Sequence, residues 1–381
     1  MQLSFPNEIT KYFSHHPPTA VKNLLITTQG VISARTVNLN KVKDKIGVIL
    51  EKPDVDPDSH YKRLIRFFKT EDKKALVESV LCVCFCLLQR KKVKYMAMDG
   101  TSWELGDKKI HLLTLTLIYD GVSIPIWWEE LDKKGISSLE ERKKVIEQAS
   151  KHFNLQGLIL LADREYIGED WFNYLSGKRI GFVIRLKKGI YKDYVNQAAA
   201  AAKDTSAKMR YSKMEHKAGR CKYGCAKTIQ IQGVDYTFAV FKNPKKDADE
   251  PLVYFLSTLE NKKQIFRAYP IRWTIETCFK HLKSNGFNLE DINFKDTDKI
   301  LLMMAIVVFA YVVSIYEGLK WYSVKKKVFK VYKSGKVYLA VSVFRKGLSC
   351  LSQKIGNLRK FIFYLTHVFK GKKLTILQNV Q

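Results

Sequence analysis

The 381-residue chain has few of the features that mark disordered, fibrous or disulfide-stabilised proteins. It contains only 9 prolines, while 46% of its residues are hydrophobic and 12% aromatic, which excludes a low-complexity scaffold and a collagen-like fibre. Its 7 cysteines are an odd number without zinc-finger spacing, which argues against a disulfide framework. The opening residues MQLSFPNEITKYF lack a basic start followed by an apolar run, so we expect no secretory signal and a cytoplasmic location.

Acidic residues are also scarce. The chain has 37 Asp+Glu against 66 Lys+Arg, a net charge of +29, which favours a polyanionic partner. From Lys320 to Gln381 there are 15 basic residues and no acidic one, interrupted by apolar runs that argue against disorder. We therefore predict a folded, helical, DNA-facing C-terminal region. Ordinary solvated lysines are the alternative.

Long apolar runs are limited to one segment, ILLMMAIVVFAYVVSIY at residues 300–316, in which only Ser314 is not apolar. Its length is at the lower limit for crossing a bilayer. A single segment of this kind in a highly charged chain is more typical of a helix buried in the core of a large domain. We predict a core helix and no membrane partner, with a membrane span as the alternative.

The pattern of apolar and polar residues predicts a mixed α/β sheet flanked by helices and divides the chain into five regions. Residues 1–90 are predicted to be helical around a loop at 53–57, and their basic stretch is either a solvated helix face or part of a DNA-binding module. Residues 91–186 are predicted to form the first part of an α/β core. A β-rich insertion follows at 187–260, the second part of the core at 261–318, and the basic C-terminal region at 319–381.

Within the first part of the core, residues 93–99, 110–119 and 122–128 are predicted to form an antiparallel meander with turns at Asp99-Gly100 and Asp120-Gly121. A helix over 137–153 is predicted to begin with a capping box between Ser138 and Glu141. A strand at 157–162, a helix at 169–177 and a strand at 180–186 complete this part.

Candidate catalytic groups are acidic, because basic side chains can bind a phosphodiester but cannot activate water to cut it. Asp99 and Asp163 each follow an apolar strand, and Glu276 lies on the helical segment YPIRWTIETCFKHLKSNG. Taken singly, each has an ordinary alternative as a turn residue, a helix cap or a surface glutamate. Together, three carboxylates from separate elements are the ligands that a pair of divalent ions requires.

The motifs around these residues resemble the DDE transposases of bacterial insertion sequences, in the subgroup with the Y-R-E-K signature. The resemblance rests on Asp99-Gly100-Thr101, on Asp163-Arg164-Glu165-Tyr166, and on Tyr269-x2-Arg272-x3-Glu276-x6-Lys283. It extends over residues 90 to 318 and includes an insertion between Asp163 and Glu276.

The resemblance implies a ribonuclease-H-like catalytic domain that cuts the ends of an insertion sequence and joins them to target DNA. It implies two Mg²⁺ ions, with Mn²⁺ as a substitute, and a homodimer assembled on two double-stranded DNA ends. By the same resemblance, the catalytic metal ligands are Asp99, Asp163 and Glu276, and the residues that contact DNA are Tyr269, Arg272, Lys283 and Arg164. A catalytically inactive DNA-binding protein derived from such an enzyme is the alternative.

The sequence departs from the family at one step. Some relatives stack a flipped base on a tryptophan of the insertion, whereas no tryptophan lies between Trp171 and Trp273 here. A hairpin intermediate is therefore either absent or dependent on another aromatic residue, with Phe238, Phe241, Tyr254 and Phe255 as candidates.

Helical geometry explains why the four signature residues can share one site. At about 100° per residue, Tyr269, Arg272, Glu276 and Lys283 fall within a stripe roughly 60° wide. An apolar stripe containing Ile275, Cys278, Phe279 and Leu282 lies beside it, so the helix can pack on a sheet while its polar stripe stays at the sheet's edge. We predict that Trp127 and Trp128 pack in the core or its rim and that His281 is a surface residue.

Overall fold

The structure is a computed structural model that describes residues 7–88, 93–105, 108–131, 133, 135–205, 207–244, 249–332, 335 and 337–370. These residues form two compact units. We call Lys91–Thr101 with His111–Thr277 the sheet unit, and Met1–Arg90, Ser102–Ile110 and Cys278–Leu377 the helical unit.

The elements follow one another along the chain as listed here. The helices are α1 (Asn7–Thr10), α2 (Pro18–Ala34), α3 (Leu39–Ile49), α4 (Pro57–Phe67), α5 (Lys73–Cys86), α6 (Leu139–His152), α7 (Glu169–Gly177), α8 (Lys192–Ala201), α9 (Tyr211–Arg220), α10 (Lys262–Ala268), α11 (Thr274–Lys283), α12 (Thr297–Val324), α13 (Val343–Lys354) and α14 (Leu358–Lys370). The strands are β1 (Val93–Leu105), β2 (Lys108–Tyr119), β3 (Val122–Glu130), β4 (Ile159–Ala162), β5 (Gly181–Leu186), β6 (Cys225–Ile231), β7 (Val234–Lys242), β8 (Leu252–Ser257), β9 (Phe329–Val331) and β10 (Val337–Leu339). Short 3-10 helices span Tyr269–Trp273 and Leu289–Asp291.

The sheet unit is built on one mixed sheet of eight strands in the order β3-β2-β1-β4-β5-β8-β7-β6. β2 and β3 pair in antiparallel fashion, whereas β4 lies parallel to both β1 and β5. All four residues of β4 are buried, as expected for a central parallel strand covered on both faces. This arrangement confirms the predicted mixed α/β sheet flanked by helices, with β1, β2 and β3 as neighbouring strands.

Several local predictions for this unit are confirmed. Ser138 and Glu141 form the predicted capping box at the start of α6, and α7 has the predicted bounds. The turn at Asp120-Gly121 is present, with positive φ values of 47° and 79°, as the tight hairpin turn between β2 and β3 requires. Trp127 and Trp128 are buried, in agreement with the packing role predicted for them.

One local prediction for this unit is wrong. Asp99-Gly100 is not a turn, because β1 continues through it to Leu105. The Asp-Gly pair is a local turn signal, and here it is overridden by strand pairing. In addition, the segment 187–260 contains two helices, α8 and α9, besides its three strands. Its strands also join the main sheet, since β8 pairs with β5.

The helical unit is organised around α12. Its apolar segment is long enough to cross a membrane by length and composition, yet 89% of its most apolar window is buried inside the protein. The prediction of a buried core helix is therefore confirmed. Helix α13 packs closely against α12 because Gly347 of α13 has no side chain. A Cβ atom at Gly347 would lie 1.8 Å from the Ser314 carbonyl oxygen of α12.

The basic C-terminal region was predicted to be helical. In the structure it also contains the two-stranded hairpin of β9 and β10, which precedes α13 and α14. Its alternating runs VFKVY and KVYLA have the period-2 pattern of strands. The final residues of the predicted region, 371–381, lie outside the described residues.

Candidate active site

Asp99 and Asp163 are brought together by parallel pairing of β1 with β4. Ala97 lies opposite Leu161 in this register. Asp99 and Asp163 each lie two positions beyond one member of that pair, so both carboxylates emerge at the same edge of the sheet. Asp163 directly follows β4, whereas β1 continues past Asp99 to Leu105, so this edge is the carboxyl end of β4, where ligands bind in open α/β sheets.

Arg272 connects these carboxylates to Glu276. The 3-10 helix ends at Trp273 and α11 begins at Thr274, which places Arg272 and Glu276 one turn apart. The Arg272 guanidinium lies 3.0 Å from Asp99 Oδ2, 3.0 Å from Glu276 Oε1 and 3.7 Å from Asp163 Oδ2. The structure therefore brings together all three acidic candidates around one buried cation.

Charge and burial oppose one another in this cluster. Burial raises the pKa of Asp99 to about 6, although the positive charge of Arg272 pulls it down, and the neighbouring Glu165 raises it further. Asp99 Oδ1 also accepts a hydrogen bond of 2.9 Å from the Gly100 N–H. Burial disfavours the charge on Arg272, but Tyr269 and the carboxylates keep its pKa above the usual value. Arg272 is thus a permanent cation.

Tyr269 is also buried at this edge. Its ring centroid lies 4.6 Å from that of Phe255, and burial and the Asp163 carboxylate raise its pKa to about 12. The hydroxyl therefore remains protonated at neutral pH and can act as a hydrogen-bond donor.

A cavity of about 590 Å³ adjoins Tyr269 in the sheet unit. Two of the four aromatic candidates for base stacking line it, Phe241 and Phe255. The other two lie elsewhere: Tyr254 stacks on Tyr211 at 5.9 Å between ring centroids, and Phe238 is fully buried.

Trp273 also lines this cavity and is 49% exposed. This residue directly follows Arg272 in the signature but is not among the stacking candidates predicted from the sequence.

Two arginines and a glutamate form an ion-pair cluster in the same cavity. Arg164 Nη1 lies 3.2 Å from Glu250 Oε1, and Arg185 Nη2 lies 2.7 Å from Glu250 Oε2. The Arg185 Nε atom is buried and has no hydrogen-bond partner among the described residues. Arg185 and Glu250 were missed by sequence reasoning, because no local motif marks them. Arg164 lies in the predicted motif, and its side chain is directed to Glu250.

Lys283, the last signature residue, belongs to the helical unit, and the contacts described for it lie there. Its ammonium donates to the Ser102 carbonyl at 2.6 Å and pairs with Glu290 at 3.2 Å. A role of Lys283 in DNA binding stays a prediction.

His281 was predicted to lie at the surface, but in the structure it is half-buried. Its ring centroid lies 4.6 Å from that of Phe344. Burial, together with the nearby Arg345 and Lys280, lowers the pKa of His281 to about 4. The imidazole is therefore neutral at physiological pH and packs against Phe344.

The donor chemistry of the carboxylate cluster fits hard divalent ions, because Asp99, Asp163 and Glu276 supply only oxygen ligands, which Mg²⁺ and Mn²⁺ prefer. Their convergence on a guanidinium shows that the site attracts positive charge. As arranged here, no three Asp, Glu, His or Cys side chains of the described residues lie close enough together to hold a metal ion.

Comparison with known proteins gives a family match and a distant structural similarity. Residues 94–313, more than half of the chain, match the family described as transposase DDE domain. A piggyBac transposase, solved by cryo-EM in a synaptic complex with hairpin DNA, is 12% identical with a TM-score of 0.47, and the similarity covers 98% of this chain and 79% of that one. No curated protein sequence matches the chain.

Proposed function

We propose, since the chain belongs to the transposase DDE domain family, that it is a DNA transposase that cleaves the ends of an insertion sequence and transfers them to target DNA. One observation carries the proposal. Asp99, Asp163 and Glu276, which come from a strand, a strand end and a helix within the matched region, all contact the guanidinium of Arg272.

In this proposal, Asp99, Asp163 and Glu276 would hold two Mg²⁺ ions, which would activate the attacking hydroxyl and stabilise the leaving oxygen of the phosphodiester. The side chains themselves are positioned by Arg272, whose guanidinium binds all three carboxylates and offsets part of their mutual repulsion. Tyr269 lies beside Arg272, with its ring centroid 5.9 Å from the guanidinium carbon. Its protonated hydroxyl can donate a hydrogen bond to a phosphate oxygen.

The neighbouring cavity supports DNA as the substrate. Arg164 and Arg185 place two guanidinium groups in it, and guanidinium binds phosphate in a bidentate manner. Trp273, which is half exposed, offers a ring on which an unpaired base can stack. Double-stranded terminal repeats and target DNA are the proposed partners, bound by a homodimer in the cytoplasm without a membrane partner.

The test uses purified protein and duplex DNA that carries the repeats flanking its own gene. Asp163→Asn and Glu276→Gln each remove one carboxylate charge with little change in volume, and we expect cleavage to fall by more than about a thousandfold while end binding persists. The matched control is Glu140→Gln, which removes an exposed carboxylate on α6 and should leave cleavage unchanged. Cleavage should require Mg²⁺ or Mn²⁺ and stop with EDTA.

Two outcomes would contradict the proposal in different ways. A variant that still cuts at the normal rate would remove that residue from the catalytic set. If the unmodified protein binds the repeats but does not cut them with either ion, the inactive DNA-binding alternative is the better description.

A further inference from the structure

The hairpin of β9 and β10 in the helical unit, which we call the ribbon, has two chemically different faces. Val331 pairs with Val337, and Phe329 pairs with Leu339. Because successive residues of a strand point to opposite faces, these four side chains share one face, which is entirely apolar. The opposite face carries Lys330, Tyr332 and Tyr338, with the Lys330 ammonium 5.6 Å from the centroid of the Tyr332 ring.

Among the described residues, the helical unit leaves most of this apolar face exposed, with only Leu339 partly buried. Phe329 is 56% exposed, Val331 67% and Val337 56%. These three large apolar side chains are therefore in contact with water, which is unfavourable. An isolated two-stranded hairpin also has little stability of its own. A contiguous exposed apolar face of this kind marks an interaction surface.

Charge identifies the partner. Lys325, Lys326 and Lys327 immediately precede the ribbon and are exposed, and Lys330 lies within it. The surrounding sequence from Lys320 to Gln381 has no acidic residue. The same region of a second copy of the chain would therefore be repelled, whereas a polyanion would be attracted.

The chemistry of the apolar face distinguishes between the two grooves of DNA. Phe329, Val331, Val337 and Leu339 have no side-chain donor or acceptor, so they cannot read the hydrogen-bonding pattern of the major groove. Apolar side chains do bind the minor groove, where they wedge between base steps, partly unstack them and bend the duplex. Phe329 and its cross-strand neighbour Leu339 are side chains of the size used for this purpose.

We propose that the ribbon is a second DNA-binding surface, which inserts its apolar face into the minor groove and bends the duplex while Lys325, Lys326 and Lys327 contact the flanking phosphates. The inference deepens the proposed function, since it assumes that DNA is the substrate. It assigns DNA bending to a segment outside the carboxylate cluster.

The experiment measures binding to a duplex of about 40 base pairs, long enough to hold several minor-groove sites, and its bend by energy transfer between dyes on the two ends. EDTA is present so that no cleavage occurs. Phe329→Ser combined with Val331→Ser should weaken binding by about tenfold and abolish the bend, with the salt dependence retained. Lys325, Lys326 and Lys327→Gln together should reduce the slope of log affinity against log salt by about 2.7, which corresponds to three phosphate contacts.

The control variant is Val48→Ser, which replaces an equally exposed apolar residue on α3 of the same unit and should change neither quantity. Because the exposed ribbon residues support little of the core, all variants should keep the wild-type melting temperature. Normal affinity and bending by the Phe329 and Val331 variant would overturn the proposal, even if wild-type cleavage upholds the proposed function. If the wild-type protein does not bind DNA at all, the proposed function fails as well.

Two other occupants of the apolar face would also overturn the proposal, and each has its own readout. Loss of self-association by the same variant in light scattering without DNA would assign the face to a second copy of the chain. Loss of binding to vesicles of anionic phospholipid, with DNA bending retained, would assign it to a membrane surface.

Discussion

In the metal-free protein, the free energy of unfolding of Asp99→Asn relative to wild type should rise with pH. Burial raises the pKa of Asp99 from 3.8 to about 6, so the folded protein binds more protons than the unfolded chain between about pH 4 and pH 6. Stability is therefore lost as pH rises through this window. The full shift corresponds to about 3 kcal/mol, the upper limit of the cost of keeping this carboxylate ionised at pH 8.

Comparing the stability difference between Asp99→Asn and wild type at two pH values separates the effect of the Asp99 charge from the effect of the contacts that asparagine changes. The asparagine side chain of the variant can still accept from Arg272, but its amide fits less well against the Gly100 N–H, and that penalty does not depend on pH. From the two pKa values, about 1.4 kcal/mol of the cost develops between pH 5 and pH 8. The free energy of unfolding of Asp99→Asn relative to wild type should thus rise by about this amount over that range.

Urea denaturation in EDTA, followed by tryptophan fluorescence, measures this difference. Glu140→Gln is the control for the general effect of removing a carboxylate. The reasoning would be refuted if the free energy of unfolding of Asp99→Asn differed from that of wild type by the same amount at pH 5 and pH 8. It would mean that Arg272 fully compensates the burial of Asp99.

Two further predictions concern charge and packing elsewhere in the chain. Glu250→Gln removes the carboxylate shared by Arg164 and Arg185, so DNA affinity in EDTA should increase several-fold and the salt dependence should steepen by up to about 1 per freed guanidinium. An unchanged slope in the binding titration would show that neither arginine reaches DNA. Gly347→Ala places a methyl group against the Ser314 carbonyl and should lower the free energy of unfolding in urea by about 1–3 kcal/mol. In the control Gly356→Ala, the added methyl group meets no atom within 4 Å, so stability should not change. Equal losses of stability in both variants would contradict the packing argument.

The parts of the fold that the sequence predicts correctly are those with strong local signals. Asp99 and Asp163 could be selected in advance because each follows an apolar run, whereas their convergence through the pairing of β1 with β4 was not predicted. Ser138 and Glu141 identified the start of α6 through capping chemistry alone. These features depend on residues within a few positions of one another, so sequence order is nearly sufficient to define them.

The features that sequence reasoning missed depend on distant residues. The ion pair between Arg164 and Glu250 joins residues 86 positions apart. The burial of His281 depends on Phe344, which lies on a different helix. The turn expected at Asp99-Gly100 illustrates the same limit, because a local turn signal was overridden by strand pairing that no local pattern reveals.

Arg272 connects the physical chemistry of the site with the assignment of its residues. The family resemblance assigns this arginine to DNA binding, yet its side chain is only 6% exposed and is held by three carboxylates. A buried guanidinium without these partners would be strongly destabilising, and three clustered carboxylates without a cation would repel one another. Each group therefore stabilises the charged form of the other. The planar, delocalised charge of arginine can contact three acceptors at once, which the single ammonium of lysine cannot do in the same plane. We therefore propose that Arg272 positions the carboxylates and that the more exposed Arg164 and Arg185 bind phosphate.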